Sequence, residues 1–146
     1  MNYQIKHIPS DNGAKAFQNQ DQENLDCWQV AKLGRLYAKT ARYDEALTYF
    51  NRAIMLNDEV VQFYYYRGVA LFKLGKWEHA LRDFDKALKG GSWNQMDILN
   101  YTGCIRFRLG DVNGARRDIA RVLNANKGLL NDLVMTTDEY MELMEA

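Results

Sequence analysis

Apolar residues recur at three- and four-residue intervals along most of the chain: Val30, Leu33 and Tyr37 in one stretch, then Ala46, Tyr49, Phe50 and Ala53 in the next. That is the spacing of one face of an α-helix. The arrangement then returns in register. Gly34, Gly68 and Gly103 are separated by 34 and 35 residues. Twelve residues after each glycine stands an alanine (Ala46, Ala80, Ala115), four further on a large apolar residue (Phe50, Phe84, Ile119), and three beyond that a small one (Ala53, Ala87, Val122). Small residues let two helices approach closely, and the large one fills the space between neighbours. Each unit is therefore expected to be a pair of antiparallel helices. Gly75 and Gly110 stand where a first helix must stop and supply the left-handed cap at low cost; Ala41 holds that place in the first unit, so its turn is expected to be less ideal. The single proline, Pro9, lies before all of this.

A 34-residue period with this small and large pattern resembles the tetratricopeptide repeat, whose signature runs from an apolar residue through Leu-Gly and Tyr to Ala-x-x-x-Phe and a closing Pro. The first repeat matches through Val30, Leu33, Gly34, Tyr37, Ala46 and Phe50. The second keeps Tyr64, Gly68, Leu71, Ala80 and Phe84; the third keeps Leu99, Gly103 and Ala115, with Arg106 where an aromatic is usual. Asp58, Ser92 and Lys127 replace the closing proline, so polar caps such as Asp58 are expected to set the turn after each second helix. The extra residue between repeats two and three falls in Gly90 to Gln95, a turn-rich stretch. The resemblance implies an all-α, right-handed superhelical solenoid of antiparallel helix pairs. Its repeats would occupy approximately 27–60, 61–94 and 96–129, within a repeat region of 27–127.

The ends of the chain differ from this middle. Residues 1–26 hold eight Asn or Gln side chains, few aliphatic ones and the turn signal Asp11-Asn12-Gly13, which predicts a mobile arm with at most a short extended piece over 3–8. Asp26 reads as the N-cap of the first repeat. In the tail, Leu130, Leu133, Val134, Met141 and Met144 stand at helical spacing, and a capping helix is expected over 128–146, since a solenoid's last repeat exposes an apolar face. The capping box Thr136-x-x-Glu139 supports another reading, in which one helix ends at Met135 and a second starts after it. The sequence leaves both open.

A hydrophobic share of 47% and a charged share of 26% belong to a folded soluble domain. Overall charge is zero, which weakens the case for a general nucleic-acid or membrane binder driven by net charge. The zero hides a pattern: over 27–127, seventeen basic and ten acidic groups leave +7, while 1–26 carries −2 and 128–146 carries −5. Cys27 and Cys104 are too few and too far apart for a disulfide framework or a four-cysteine zinc site, and read as free thiols in a cytoplasmic protein. No apolar run approaches a membrane span or secretory signal.

The inventory for catalysis is thin. His7 and His79 are distant in sequence from either cysteine, and no phosphate loop, zinc-protease helix or dinucleotide fingerprint is present. Asp83-x-Asp85 lacks the rest of a calcium loop. Asn100-Tyr101-Thr102 matches a glycosylation acceptor but lies in a predicted helix. No enzyme activity, metal or cofactor is expected.

In a solenoid of this kind the first helix of each repeat lines the concave groove. Counting from the repeat register, the groove residues are Trp28, Lys32, Arg35 and Lys39 in the first repeat, Tyr65, Tyr66, Phe72 and Lys73 in the second, and Tyr101, Phe107 and Arg108 in the third. Aromatics fill the middle and cations the flanks. Lys39, Lys73 and Arg108 also stand near helix C-termini, where a cation favours the helix dipole in any case. The resemblance implies a non-catalytic protein-interaction scaffold that holds an extended or helical peptide, and the basic groove points to an acidic partner with apolar anchors. The family's best-known mode clamps the C-terminal carboxylate of heat-shock chaperones with Lys and Asn; here Ala31, Arg35, Tyr66, Asp97 and Tyr101 hold those places, which argues against that mode. The size also resembles the small secretion chaperones of bacteria, which cradle a partner's segment. RNA or single-strand binding is a weaker alternative, because the cations do not form a continuous track. Self-association into a homo-oligomer is compatible with every one of these readings.

Overall fold

The structure, a computed structural model, describes residues 24–92, 94–125 and 133–146. Among these residues there are seven helices and no strand: α1 (Cys27–Lys39), α2 (Tyr43–Leu56), α3 (Val61–Lys73), α4 (Trp77–Lys89), α5 (Gln95–Arg108), α6 (Val112–Ala125) and α7 (Thr137–Glu145). The most extensive packing is within the pairs α1/α2, α3/α4 and α5/α6, each joined by a three-residue connection. Each pair stacks on the next through α2 on α3 and α4 on α5. The result is a right-handed solenoid of antiparallel helix pairs.

The repeated glycines sit where helices of a pair come closest. A Cβ on Gly34 would lie 2.6 Å from the Phe50 ring, one on Gly68 2.9 Å from Phe84, and one on Gly103 2.7 Å from Ile119. The large residue sixteen positions later thus fills the space that the glycine leaves. Phe50, Phe84 and Ile119 are buried with Ala46, Ala80 and Ala115 beside them. A large apolar side chain contributes roughly 1.5–3 kcal/mol when fully buried.

The turns follow the predicted logic with one correction. After α1, α3 and α5 the chain takes a left-handed step at Ala41 (φ 58°), Gly75 (φ 71°) and Gly110 (φ 87°). The N–H groups of Arg42, Lys76 and Asp111 then donate back to the carbonyls of Tyr37, Leu71 and Arg106. These are Schellman caps. In the turn after α2, Asn57 and not Asp58 supplies the polar side chain: its Oδ1 accepts the Glu59 N–H at 3.1 Å, while Asp58 is exposed. One residue early, the amide already reaches the open N–H of the turn. Ser92 is buried and its hydroxyl donates to Asn94; Lys127 lies outside the described residues.

Asp26 caps α1, accepting the N–H groups of Trp28 and Gln29, and Gln29 returns a bond to the Asp26 N–H. The predicted arm lies outside the described residues up to 23. At the other end, Leu133 to Met135 are not helical and α7 starts at Thr137, inside the capping box formed by Thr136 and Glu139. The inward face of the tail is only partly the predicted one: Leu133 and Val134 pack partly buried against the main core, but Met141 and Met144 are exposed, and Met135 and Leu143 are the buried residues. The break before Thr136 resets the helical phase, so a spacing counted from Leu130 points to the wrong side. Leu130 itself lies outside the described residues.

Candidate functional site

The first helices lie side by side, α1 touching α3 and α3 touching α5. Their outward residues form one continuous face, the inner face of the solenoid. On α1, Trp28, Lys32, Arg35 and Lys39 follow each other at helical spacing and all are exposed. Trp28 keeps 51% of its surface open and sets its ring edge against buried Phe63, with centroids 4.9 Å apart. On α3, Tyr65 and Tyr66 are half-buried, Lys73 is exposed and Phe72 is buried to 8%. On α5, Tyr101, Phe107 and Arg108 are half-buried.

Most of these aromatics belong to a chain of ring contacts that also holds the helices together. Tyr66 stacks on Phe50 at 5.9 Å and meets Tyr65 at 5.6 Å, Tyr65 leans on Phe84, Phe84 stacks on Tyr101 at 5.3 Å, and Tyr101 meets Phe72 edge-on at 5.1 Å. Such geometries are favourable beyond the area they bury. Burial pushes the Tyr101 hydroxyl up to about 12, with Tyr65 and Asp97 nearby adding to the shift, and burial raises Tyr65 as well. The middle of the face is therefore a neutral aromatic floor, with Phe72 beneath it. Trp28 is the aromatic that projects.

The cations are disposed around this floor. The Arg35 guanidinium lies 5.1 Å from the Tyr66 ring centre, and the Lys73 ammonium 6.0 Å from that of Phe72. Among the described residues no carboxylate forms an ion pair with Lys32, Arg35, Lys39 or Lys73. Arg108 differs. Its Nε donates to Glu139 Oε1 at 2.7 Å and its Nη2 to Oε2 at 3.3 Å, while the guanidinium covers the rings of Phe72 and Trp77, each 5.5 Å away. The Arg108 guanidinium holds the Glu139 carboxyl below the usual carboxylate range. Asn100 on the same helix accepts the Val134 N–H at 2.8 Å. Residues 134–139 thus run alongside α5, where the first helix of a further repeat would stack.

Other chemistry is weaker. Cys104 is fully buried and burial pushes its thiol up to about 11, so it stays protonated at neutral pH. Among the described residues no three His, Cys, Asp or Glu side chains are grouped to hold a metal, and no helix is long and apolar enough to cross a membrane. An open cleft of about 340 Å³ between α2 and α4 is lined by Leu47, Asn51, Arg67, His79 and Asp83. The Arg67 guanidinium is already satisfied by Asp83, at 2.7 and 2.8 Å, and by Asn51 at 2.8 Å.

Sequence reasoning missed Glu139 and Trp77 as parts of this site. Glu139 was legible only as a cap, since nothing local says which cation its carboxylate will meet. It also missed the part-buried pairs Arg67–Asp83 and Arg106–Asp118, the second joined by the Thr102 hydroxyl at 2.6 Å from Asp118. A signal was available: Arg67 and Asp83, like Thr102 and Asp118, are sixteen residues apart, the same interval as each glycine and its large partner.

Residues 31–95 match the sequence profile of the tetratricopeptide repeat family. No curated protein sequence matches the chain. Among solved structures the chain is similar to YrrB, described as a TPR protein with an unusual peptide-binding site, at 21% identity and a TM-score of 0.66, over 78% of this chain and 57% of that one. This chain therefore spans little more than half of YrrB. It is also similar to the second TPR of Spaghetti (RPAP3) bound to the HSP90 peptide SRMEEVD, at 25% identity and a TM-score of 0.62, over 75% of this chain and 96% of that one. A third likeness is to the second TPR domain of human RPAP3 in complex with the HSP70 peptide SGPTIEEVD, at 22% identity and a TM-score of 0.62, over 82% and 96% of the two chains. These likenesses agree with the architecture built above from the residues.

Proposed function

Since the chain is a tetratricopeptide repeat protein, we propose that it is a non-catalytic interaction scaffold that binds an acidic peptide segment on the face formed by α1, α3 and α5. One observation carries the reading: Lys32, Arg35, Lys39 and Lys73 stand exposed, without carboxylate partners among the described residues, around a neutral aromatic floor. Exposed cations in such a setting draw in an acidic partner and set its on-rate, and a projecting aromatic supplies the buried contact that slows release. The peptides seated on RPAP3 support a peptide ligand as the general case. Ala31, Tyr66 and Asp97 at the carboxylate-clamp places favour a different acidic segment.

The test is to isolate a partner by pull-down and measure association and dissociation at two ionic strengths. Lys39→Glu with Lys73→Glu slows association and flattens its salt dependence. Trp28→Ala speeds dissociation at either salt, by about 1–2 kcal/mol for an aromatic anchor towards the end of the face. Trp28 is chosen over Tyr66 because Tyr66 also packs on Phe50. Equal binding by wild type and both variants would move the site off this face.

A further inference from the structure

Arg108 is the one predicted groove cation that meets a carboxylate among the described residues, and that carboxylate belongs to the chain itself. Glu139 approaches it with both oxygens while two aromatic rings back the guanidinium. Glu139 sits in the first turn of α7, three residues after Thr136, whereas the anchor of the helix is elsewhere: Leu143 is fully buried and its carbonyl accepts the Arg116 Nε–H at 3.0 Å. Met135 is buried on the near side of the turn. Leu143 and Met135 can therefore keep α7 docked when the Glu139 side chain leaves Arg108, at the cost of the capping bond that its Oε2 accepts from the Thr136 N–H. Its departure would expose the Arg108 guanidinium as a charge-assisted, two-point donor site at the end of the row formed by Lys39 and Lys73.

We propose that Glu139 is a built-in competitor for the ligand: its carboxylate occupies Arg108 in the free protein, and a carboxylate of the bound acidic segment takes its place. The inference rests on the reading of the α1/α3/α5 face as the binding site. It divides that face into an open part, carried by α1 and α3, and a latched part at the end of α5. Short acidic segments are read by the open part alone, while longer ones gain Arg108 at the cost of displacing Glu139.

The probe is a fluorescein-labelled peptide of alternating Glu and Leu, titrated into the full chain. Glu139→Gln is the first variant, because glutamine at this place still accepts the Thr136 N–H of the capping box but no longer forms the ion pair. Binding strengthens about three- to tenfold, the range expected when a state populated at about 10–30% becomes the only one. The Arg108 Nε–H NMR signal, protected in the free wild type, is lost in free Glu139→Gln and returns on saturation with peptide. Arg108→Gln releases Glu139 equally and gives no gain in affinity. Glu142→Gln removes the same charge from an exposed place on α7 and leaves binding within twofold. A gain from Glu142→Gln as large as that from Glu139→Gln would reduce the effect to long-range charge and overturn the inference. So would equal binding by wild type and Glu139→Gln, in which case the groove reading stands alone. Failure of both proteins to bind the peptide would overturn the groove reading together with the latch.

Discussion

Ala41 adopts a left-handed backbone that costs an L-residue roughly 1–2 kcal/mol, at a place where the next two helix pairs use Gly75 and Gly110. Part of that cost is returned when glycine replaces it, since glycine loses more freedom on folding. Ala41→Gly is expected to stabilise the protein by about 0.5–1 kcal/mol, measurable as a rise in the chemical-denaturation midpoint; no rise would mean that the turn relaxes around alanine. A second residue-scale prediction concerns Arg67 and Asp83. Asp83 is nearly buried and Arg67 partly exposed, so Asp83→Ala leaves a half-buried cation and should cost about 2–3 kcal/mol, below the 3–5 kcal/mol of a fully buried pair. The first repeat carries Leu33 and Tyr49 at the same two places. Arg67→Leu with Asp83→Tyr should therefore recover most of the loss, because the first repeat already packs this uncharged pair at the same places and a well-packed uncharged pair often replaces a buried ion pair without penalty. A double variant as weak as Asp83→Ala would show that the charge pair specifies the packing here.

At the scale of the element, α7 shows how a helix of nine residues persists. Alone it would be marginal in water. Its start is fixed by the reciprocal bonds of Thr136 and Glu139, and its body by Leu143 in the core. The Glu139 carboxyl is depressed in the folded chain, first by the hydrogen bond from Arg108. A depressed carboxyl contributes stability that is complete above its unfolded value, about 4.3, and is lost as pH falls through the folded value. The protection of α7 amides, taken relative to the intrinsic exchange rate at each pH, is thus expected to fall below about pH 4, ahead of α5 and α6, and Glu139→Gln is expected to remove most of that acid sensitivity. An unchanged profile in the variant would assign the loss to other carboxylates.

Across the whole molecule the core is uneven. One cluster runs from Tyr64, Leu71 and Phe84 through Ile98, Ile105 and Ile119 to Met135 and Leu143, whereas α1 and α2 pack through two smaller ones around Val30 with Phe63 and around Phe50 with Ala70. Stability in a stacked array is a sum of unit and neighbour terms, so the end with the smaller clusters opens first. Native-state hydrogen exchange should find α1 and α2 exchanging before α3 to α6. Leu143→Ala, which leaves a cavity in the large cluster, should cost about 2–5 kcal/mol and loosen the opposite end. Uniform protection along the chain would instead indicate a single cooperative unit.

The repeat register, the helix pairs and the close contacts of Gly34, Gly68 and Gly103 were legible in the sequence, as were the caps at Asp26 and at Gly75 and Gly110. Each depends on residues within one or two turns, or on an interval that the chain repeats. The inner face was legible as a stripe of residues for the same reason. Burial within that face was not: Tyr101 and Phe72 became floor and Trp28 stayed open because neighbouring helices supply ring partners at distances no spacing encodes. The phase of the tail was lost at the break before Thr136, and the partner of Arg108 was lost with it. Local periodicity determined which side chains share a face, whereas the choice among several exposed cations and acids was made only when stacking brought Glu139, thirty-one residues away, onto Arg108. A carboxylate pairs with whichever guanidinium the packed helices leave within reach, and that reach is a property of the assembled solenoid.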